Sequence, residues 1–128
     1  MSRFFRKNLL KAPFSIKRLK NFSNQYENIF SDYDVLLSPT LSHAPPKIGY
    51  IGPEVSFDTH FERVCQYVAF TPLQNTAGAP AISLQMGFSR NGLPIGIQFA
   101  AAYAQEKRLL ELAFELEEAR PWPLVGQQ

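Results

Sequence analysis

FTPLQNTAGAPAISLQMGFSRNGLPIGIQFA, residues Phe70 to Ala100, carries the strongest pattern in this 128-residue chain. Ala81-Ile82-Ser83-Leu84 is an apolar run of strand length, and Leu93 to Phe99 is a second. Between them Asn91-Gly92 offers the two positive-φ positions that a tight type I′ hairpin turn prefers. Ser89 lies near glycines, but a nucleophile elbow needs a strand followed by a helix, so this serine reads as turn chemistry. Upstream, Gly78 and Pro80 flank one small residue where the backbone must turn tightly before the strand. Asn75 is a polar residue in an apolar setting, and its amide is expected to tie down the loop backbone.

Working outward, Gln105 to Ala119 reads as a helix with Leu109, Leu112, Ala113 and Leu116 as its buried stripe. Glu111, Glu115 and Glu118 mark its wet side, and Pro121 ends it. Before the quoted stretch, Asp58 or Thr59 is expected to cap a helix running to about Ala69, with Phe61, Val64, Cys65 and Val68 on one face. The preceding loop, Pro39 to Phe57, holds Pro45, Pro46, Pro53, Gly49 and Gly52 and should have little regular structure. A loop of that length in a compact domain is usually functional. Asp34 to Ser38 is a short apolar run stopped by Pro39, read as a strand buried on both faces. Leu19, Phe22, Tyr26, Ile29 and Phe30 fall at helical spacing over residues 15 to 30, with Pro13 suited to a helix start. The order helix, strand, helix, hairpin, helix is an α/β arrangement, a partial mixed sheet with flanking helices.

Composition narrows the class. At 45% hydrophobic, with 11 Phe and 5 Tyr, the chain can build one largely aromatic core. Cys65 is the sole cysteine, which excludes an internal disulfide framework and leaves no metal-ligand spacing. No apolar run approaches the ~20 residues of a membrane-spanning helix, so the expectation is a cytoplasmic protein without a transmembrane segment. The net charge of +2 hides an asymmetry: Arg3, Arg6, Lys7, Lys11, Lys17, Arg18 and Lys20 all precede the first acidic residue, Glu27. Residues 1–14 are therefore set apart as a basic segment from a main region, 15–128. A solvated helix face is the reading adopted for this basic start, with no nucleic-acid partner. Organelle import through the basic N-terminus, or contact with a membrane surface, is the alternative.

Four blocks carry a family likeness. Asp34-Val35-Leu36-Leu37-Ser38-Pro39-Thr40, Asn75 to Leu84, Gly92 to Gln98, and Glu106 with a Leu-rich helix ending in Pro121-Trp122 together resemble the C-terminal part of the amidase signature family. Order and spacing match from the first helix to Trp122, and the tone is that of bacterial amide hydrolases, including those acting on aminohexanoate oligomers. Two departures show: Gln85 stands where the family usually has proline, and Ala104 where a glycine often precedes the last helix.

The resemblance implies amide hydrolysis by a Ser–cis-Ser–Lys triad with oxyanion donors from a Gly/Ser-rich loop. In the family those residues lie upstream of the region matched here, and this chain has no Gly-Gly-Ser-Ser-like segment. No catalytic residue is carried over, and the chain alone is expected to be inactive. Pro39 and Thr40, with the residues leading to Pro46, would line the substrate pocket, and Phe57, Phe61 and Phe70 are candidate liners whose rival reading is core. Asn75, Gly78 and Pro80 are the structural motif. No cofactor or metal is implied. The partner would be a small-molecule amide in the complete enzyme, with self-association or a triad-bearing chain alongside. Val68 occupies the position where the tRNA-dependent glutamine amidotransferase subunit has an aspartate for the substrate's amino group, so that specificity is not expected. Ser42-His43, neighbours in a Pro-rich loop, are not expected to act as a nucleophile–base pair, nor are His60 and Cys65, five apart on a helix. The rival functional class is a non-catalytic interaction module that pairs with a chain carrying the triad.

Overall fold

The computed structural model describes residues 12–122. Helix α1 spans Ala12–Glu27 and tightens into a 3-10 turn over Asn28–Ser31. Strand β1 is Leu36–Pro39, helix α2 Phe57–Tyr67, helix α3 Pro72–Ala77. Strands β2, Ala81–Phe88, and β3, Pro94–Ala100, lead to helix α4, Glu106–Ala119. The basic segment expected at residues 1–14 lies mostly outside the described residues, as do residues 123–128. Pro13 falls inside the first turn of α1, where its missing N–H costs nothing.

The sheet has the order β1-β3-β2, and among the described residues every pairing is antiparallel. Directly opposite residues in such pairs share a face. Ile82 opposite Phe99 and Leu84 opposite Ile97 therefore form one side, and Ser38, Gln98 and Ser83 form a row across the other. The first side meets α4: Leu84, Phe99, Ala101 and Leu109 are buried together, with Ile82, Met86, Ile97, Leu112, Ala113 and Leu116 packed around them. This is the stripe that the helical spacing predicted. Burying a leucine such as Leu109 contributes about 1.5–3 kcal/mol. The register shifts between Gln85 and Gly87, leaving Met86 as an extra residue. Gln85, which replaces the family's proline, thus sits where the ladder is already interrupted.

Several expectations change. β1 alternates half-buried and exposed residues instead of being covered on both faces, because it is an edge strand; Leu37 is 61% exposed. Helix α2 starts earlier than expected, with Ser56 as its cap, the Oγ accepting from Thr59 N at 3.3 Å. None of its residues is buried, so the face through Phe61 and Cys65 is not a core face. Helix α3 has no counterpart in the sequence reading. Asn75, placed in an apolar setting, is exposed on α3, and the buried amide is its neighbour Gln74, whose Nε2 donates to the Tyr26 hydroxyl at 3.1 Å. A helix puts adjacent residues on different faces, so a shift of one position moves the amide from solvent to core. Burial pushes the Tyr26 phenol above its ordinary value, partly offset by that Gln74 bond, with Glu27 adding to the rise.

Side-chain ties complete the frame. The Glu27 carboxylate accepts from Tyr103 N, and Arg108 Nη1 meets Asp34 Oδ1 at 2.7 Å. The second pair is exposed and contributes at most about 1 kcal/mol. The loop of residues 40–56 is held to α2 along its length. Arg63 donates to Tyr50 O at 2.7 Å with its guanidinium 4.2 Å from the Tyr50 ring centroid, and the His60 ring lies 3.4 Å from Gly52 O.

Candidate functional site

A groove of about 350 Å3 opens between the start of that loop and the entry to β3. Thr40, Leu41, Ser42, His43 and Ala44 form one wall. Ser89, Leu93, Pro94, Ile95 and Gly96 form the other. Strand pairing brings the walls together: Pro39 opposes Ile97, and Thr40 N donates to Gly96 O at 3.2 Å.

Each polar group in the groove has a structural partner. Thr40 Oγ1 lies 2.7 Å from Ser83 Oγ, so one hydroxyl donates to the other. Gly96 sits beneath this pair: a Cβ there would lie 2.9 Å from Thr40 Oγ1 and 3.1 Å from Ser83 Oγ. Only glycine leaves both oxygens unobstructed. Ser42 is bonded to the C-terminal turn of α2, its N donating to Tyr67 O and its Oγ to the carbonyls of Gln66 and Tyr67. Those carbonyls are the unpaired acceptors of a helix end, which explains why a serine anchors the loop there. His43 Nδ1 faces Ala44 O at 2.7 Å, and since a carbonyl only accepts, the proton is on Nδ1. The His43 ring also packs on Tyr67, 4.9 Å between centroids. Ser42 and His43 accordingly face different partners, as their sequence setting suggested.

Of the sequence candidates, Thr40 lines the groove and Pro39 is the β1 residue just before it. Phe57 and Phe61 stack on each other on α2 with centroids 6.0 Å apart, largely exposed and away from the groove walls. Phe70, half-buried between α2 and α3, is also not a wall residue. Gly78 adopts a left-handed φ of +74 at the end of α3, in the segment where a tight turn was expected, and Pro80 O accepts from Ala101 N at 3.2 Å. The wall from Leu93 to Gly96 and the pairing of Ser83 with Thr40 had no signal in sequence, because neither reveals which strands are neighbours. Among the described residues no His, Cys, Asp and Glu cluster could hold a metal, and no helix is long and apolar enough to cross a membrane.

Chain order, an antiparallel sheet covered by α4 and a groove at the sheet's edge define an α/β layer arrangement. The amidase family model matches residues 4–110, and the chain belongs to the amidase family. It is 46% identical over 125 residues to a Mycobacterium leprae protein that bears the name amidase AmiC, a match covering 98% of this chain and 26% of that one. It is 35% identical over 114 residues to the 6-aminohexanoate-cyclic-dimer hydrolase of Paenarthrobacter ureafaciens, covering 84% and 23%. A solved 6-aminohexanoate cyclic dimer hydrolase superposes with a TM-score of 0.76 over 84% of this chain and 24% of its own. The chain spans about a quarter of the length of these relatives.

Proposed function

We propose that these 128 residues are the C-terminal portion of an amidase-signature hydrolase of carboxylic amides, and that they hydrolyse nothing alone. The observation that carries the reading is coverage: nearly the whole chain matches one quarter of a relative, while its own sequence has no Gly/Ser-rich loop with a lysine. Positioning groups accelerate only a reacting pair that is present. In the assembled enzyme, Thr40 and the loop that follows it border the substrate, and Asn75, Gly78 and Pro80 shape the turn into β2. Residues 15–128 form the amidase-like region behind a basic start at 1–14, and the site of action is cytoplasmic. By likeness to the hydrolases above, an aminohexanoate amide is the first substrate to try. Pairing with a triad-bearing chain is part of the proposal; the exposed Phe57–Phe61 stack supports it as a contact for that chain.

The purified chain would be assayed against p-nitroacetanilide, p-nitrophenyl acetate and 6-aminohexanoate cyclic dimer. It would be assayed alone, and mixed with the separately expressed portion of the 6-aminohexanoate-cyclic-dimer hydrolase that it does not span. No turnover alone and turnover on mixing is the expected pair of results. Turnover by the chain alone, surviving Ser42→Ala but lost with one other serine, would overturn the reading.

A further inference from the structure

Two helices carry charge of opposite sign on exposed surface. α1 bears Lys17, Arg18 and Lys20 and no carboxylate before Glu27. From Glu111 to its end, α4 bears Glu111, Glu115, Glu117 and Glu118 and no cation. The helix dipoles add to both, since the N-terminal half of α1 is its positive end and the C-terminal half of α4 its negative end. The ion pairs among the described residues are Lys107–Glu111 and Arg108–Asp34. Apart from Glu111, these charges therefore have no ionic partner there, and Arg120, just beyond α4, pairs with none of them. Apolar side chains accompany the charges. Leu110 and Phe114, one turn apart on α4, are 53% and 70% exposed, because the helix turns Leu109, Leu112 and Leu116 toward the sheet. On α1, Leu19 and Phe22 border a cleft of about 400 Å3 against α3, completed by Ser15, Arg18 and Thr76. That volume is ample for one aromatic side chain. α1 packs on α3 and α4 on β2, so neither exposed stripe covers the other within the chain.

We propose that α4 of one copy of this chain docks on the α1–α3 cleft of a second copy, with Phe114 seated beside Leu19 and Phe22 and with Glu117 and Glu118 meeting Arg18 and its neighbouring lysines. Helical spacing puts the groups on the same faces: 114, 117 and 118 on α4, and 15, 18, 19 and 22 on α1. The complementary charge selects this pairing over α4 against α4, which would bring carboxylates together. Burial of the ring supplies affinity, and the exposed charges add orientation more than energy. The two surfaces differ, so the contact is heterologous and the copies join head to tail, closing on two or more chains as the rotation allows. This contact lies apart from the groove beside Thr40 and needs neither a triad nor the amidase reading.

The test is sedimentation of the full chain carrying Leu37→Lys, a charge that blunts pairing through the β1 edge. Concentrations from about 10 to about 300 micromolar span the weak affinity that a small interface gives. The mass is expected to rise above that of one chain with concentration. Association should be several-fold weaker at about 0.5 M than at about 0.05 M salt, because exposed charges are screened. Phe114→Ala and Leu19→Glu should each weaken it about tenfold without lowering the Tm, since both positions are more than half exposed. Mixed one to one, these two variants should associate again, because the first keeps its cleft and the second its Phe114. The mixture should stop at two chains, since the remaining cleft and the remaining helix are disabled. Should Leu19→Glu fail to fold, Arg18→Glu, at an exposed position, takes its place. A parent that stays monomeric, association indifferent to salt or to either substitution, or a mixture that stays monomeric would overturn the proposal. So would association seen only after residues 1–11 are removed, which would make that segment the occupant of the cleft.

Discussion

Ala104 is the only non-glycine among the described residues with positive φ, at +60°. An L-residue there brings its Cβ against the carbonyl, at a cost of about 1–2 kcal/mol. The strain is imposed from both sides: Glu27 holds Tyr103 N, and Gln105 N donates to Ala102 O at 3.1 Å as α4 begins. This is also where the sequence departs from its family, which often has glycine, and the structure supplies the physical reason for that preference. Ala104→Gly removes the strain but loosens the unfolded chain by about 0.4–1 kcal/mol. The expected net is a stabilisation of about 0.5–1 kcal/mol, seen as a Tm rise of a few degrees. A lowered Tm would mean that the turn relaxes in solution to a conformation that alanine accepts. Gln74 and Asn75 make the opposite point at the same scale. The sequence signalled that a polar amide would be buried in this turn, but not which one, because the six-residue helix that sets their faces was not recognised.

That helix shows what elements reveal in sequence and what they conceal. α3 has proline in its first turn and a left-handed glycine at its end, the two signals that bound a helix. Six residues are too few for an apolar periodicity to show, so Gln74-Asn75-Thr76 reads as loop. α4, with four apolar positions on one stripe, was legible almost to the residue. The hairpin lies between these cases. Its two strands and its location were legible, but its turn is wider than Asn91-Gly92 suggested. Ser89 N donates to Leu93 O at 2.8 Å and Gly92 N to Ser89 O at 3.0 Å, and only Gly92 has positive φ, +76°. This is the three-residue loop with a left-handed third position, and the Ser89 side chain, accepting from Leu93 N, favours it over the two-residue type I′ form. Gly92→Val should therefore cost about 1–2 kcal/mol, because a β-branched residue resists positive φ. Asn91→Gly, favourable or neutral in a type I′ turn, should instead destabilise slightly by adding unfolded-state freedom. Chemical denaturation of both variants separates the two turns. A stabilised Asn91→Gly would restore the two-residue turn.

At the scale of the whole molecule, surface area decides the argument. Much of the exposed surface is apolar: Phe14, Phe57, Phe114 and Ile48 are each more than two-thirds exposed, and no large side chain is fully buried among the described residues. The partial sheet read from the sequence is covered unevenly. Leu37 and Ile95 are exposed, whereas Ile82 packs against the α4 core and Leu36 is half-buried. Pairing order is what separated them, since both β1 and β2 are edges but α4 packs on the β2 side. Edge strands with apolar side chains recruit other chains, and patches beyond a few hundred Å2 are uncommon on stable monomers. The purified chain should therefore scatter light as a species larger than 14.5 kDa at micromolar concentration and should bind a hydrophobic dye. Adding the complementary portion of the cyclic-dimer hydrolase should lower dye binding as it covers that surface. Leu37→Lys, a charge on the open edge, should reduce self-association without lowering Tm, because Leu37 is already 61% exposed. A monodisperse monomer that melts sharply and binds no dye would show that the exposed apolar surface needs no cover, and with it the expectation of a partner chain would fall.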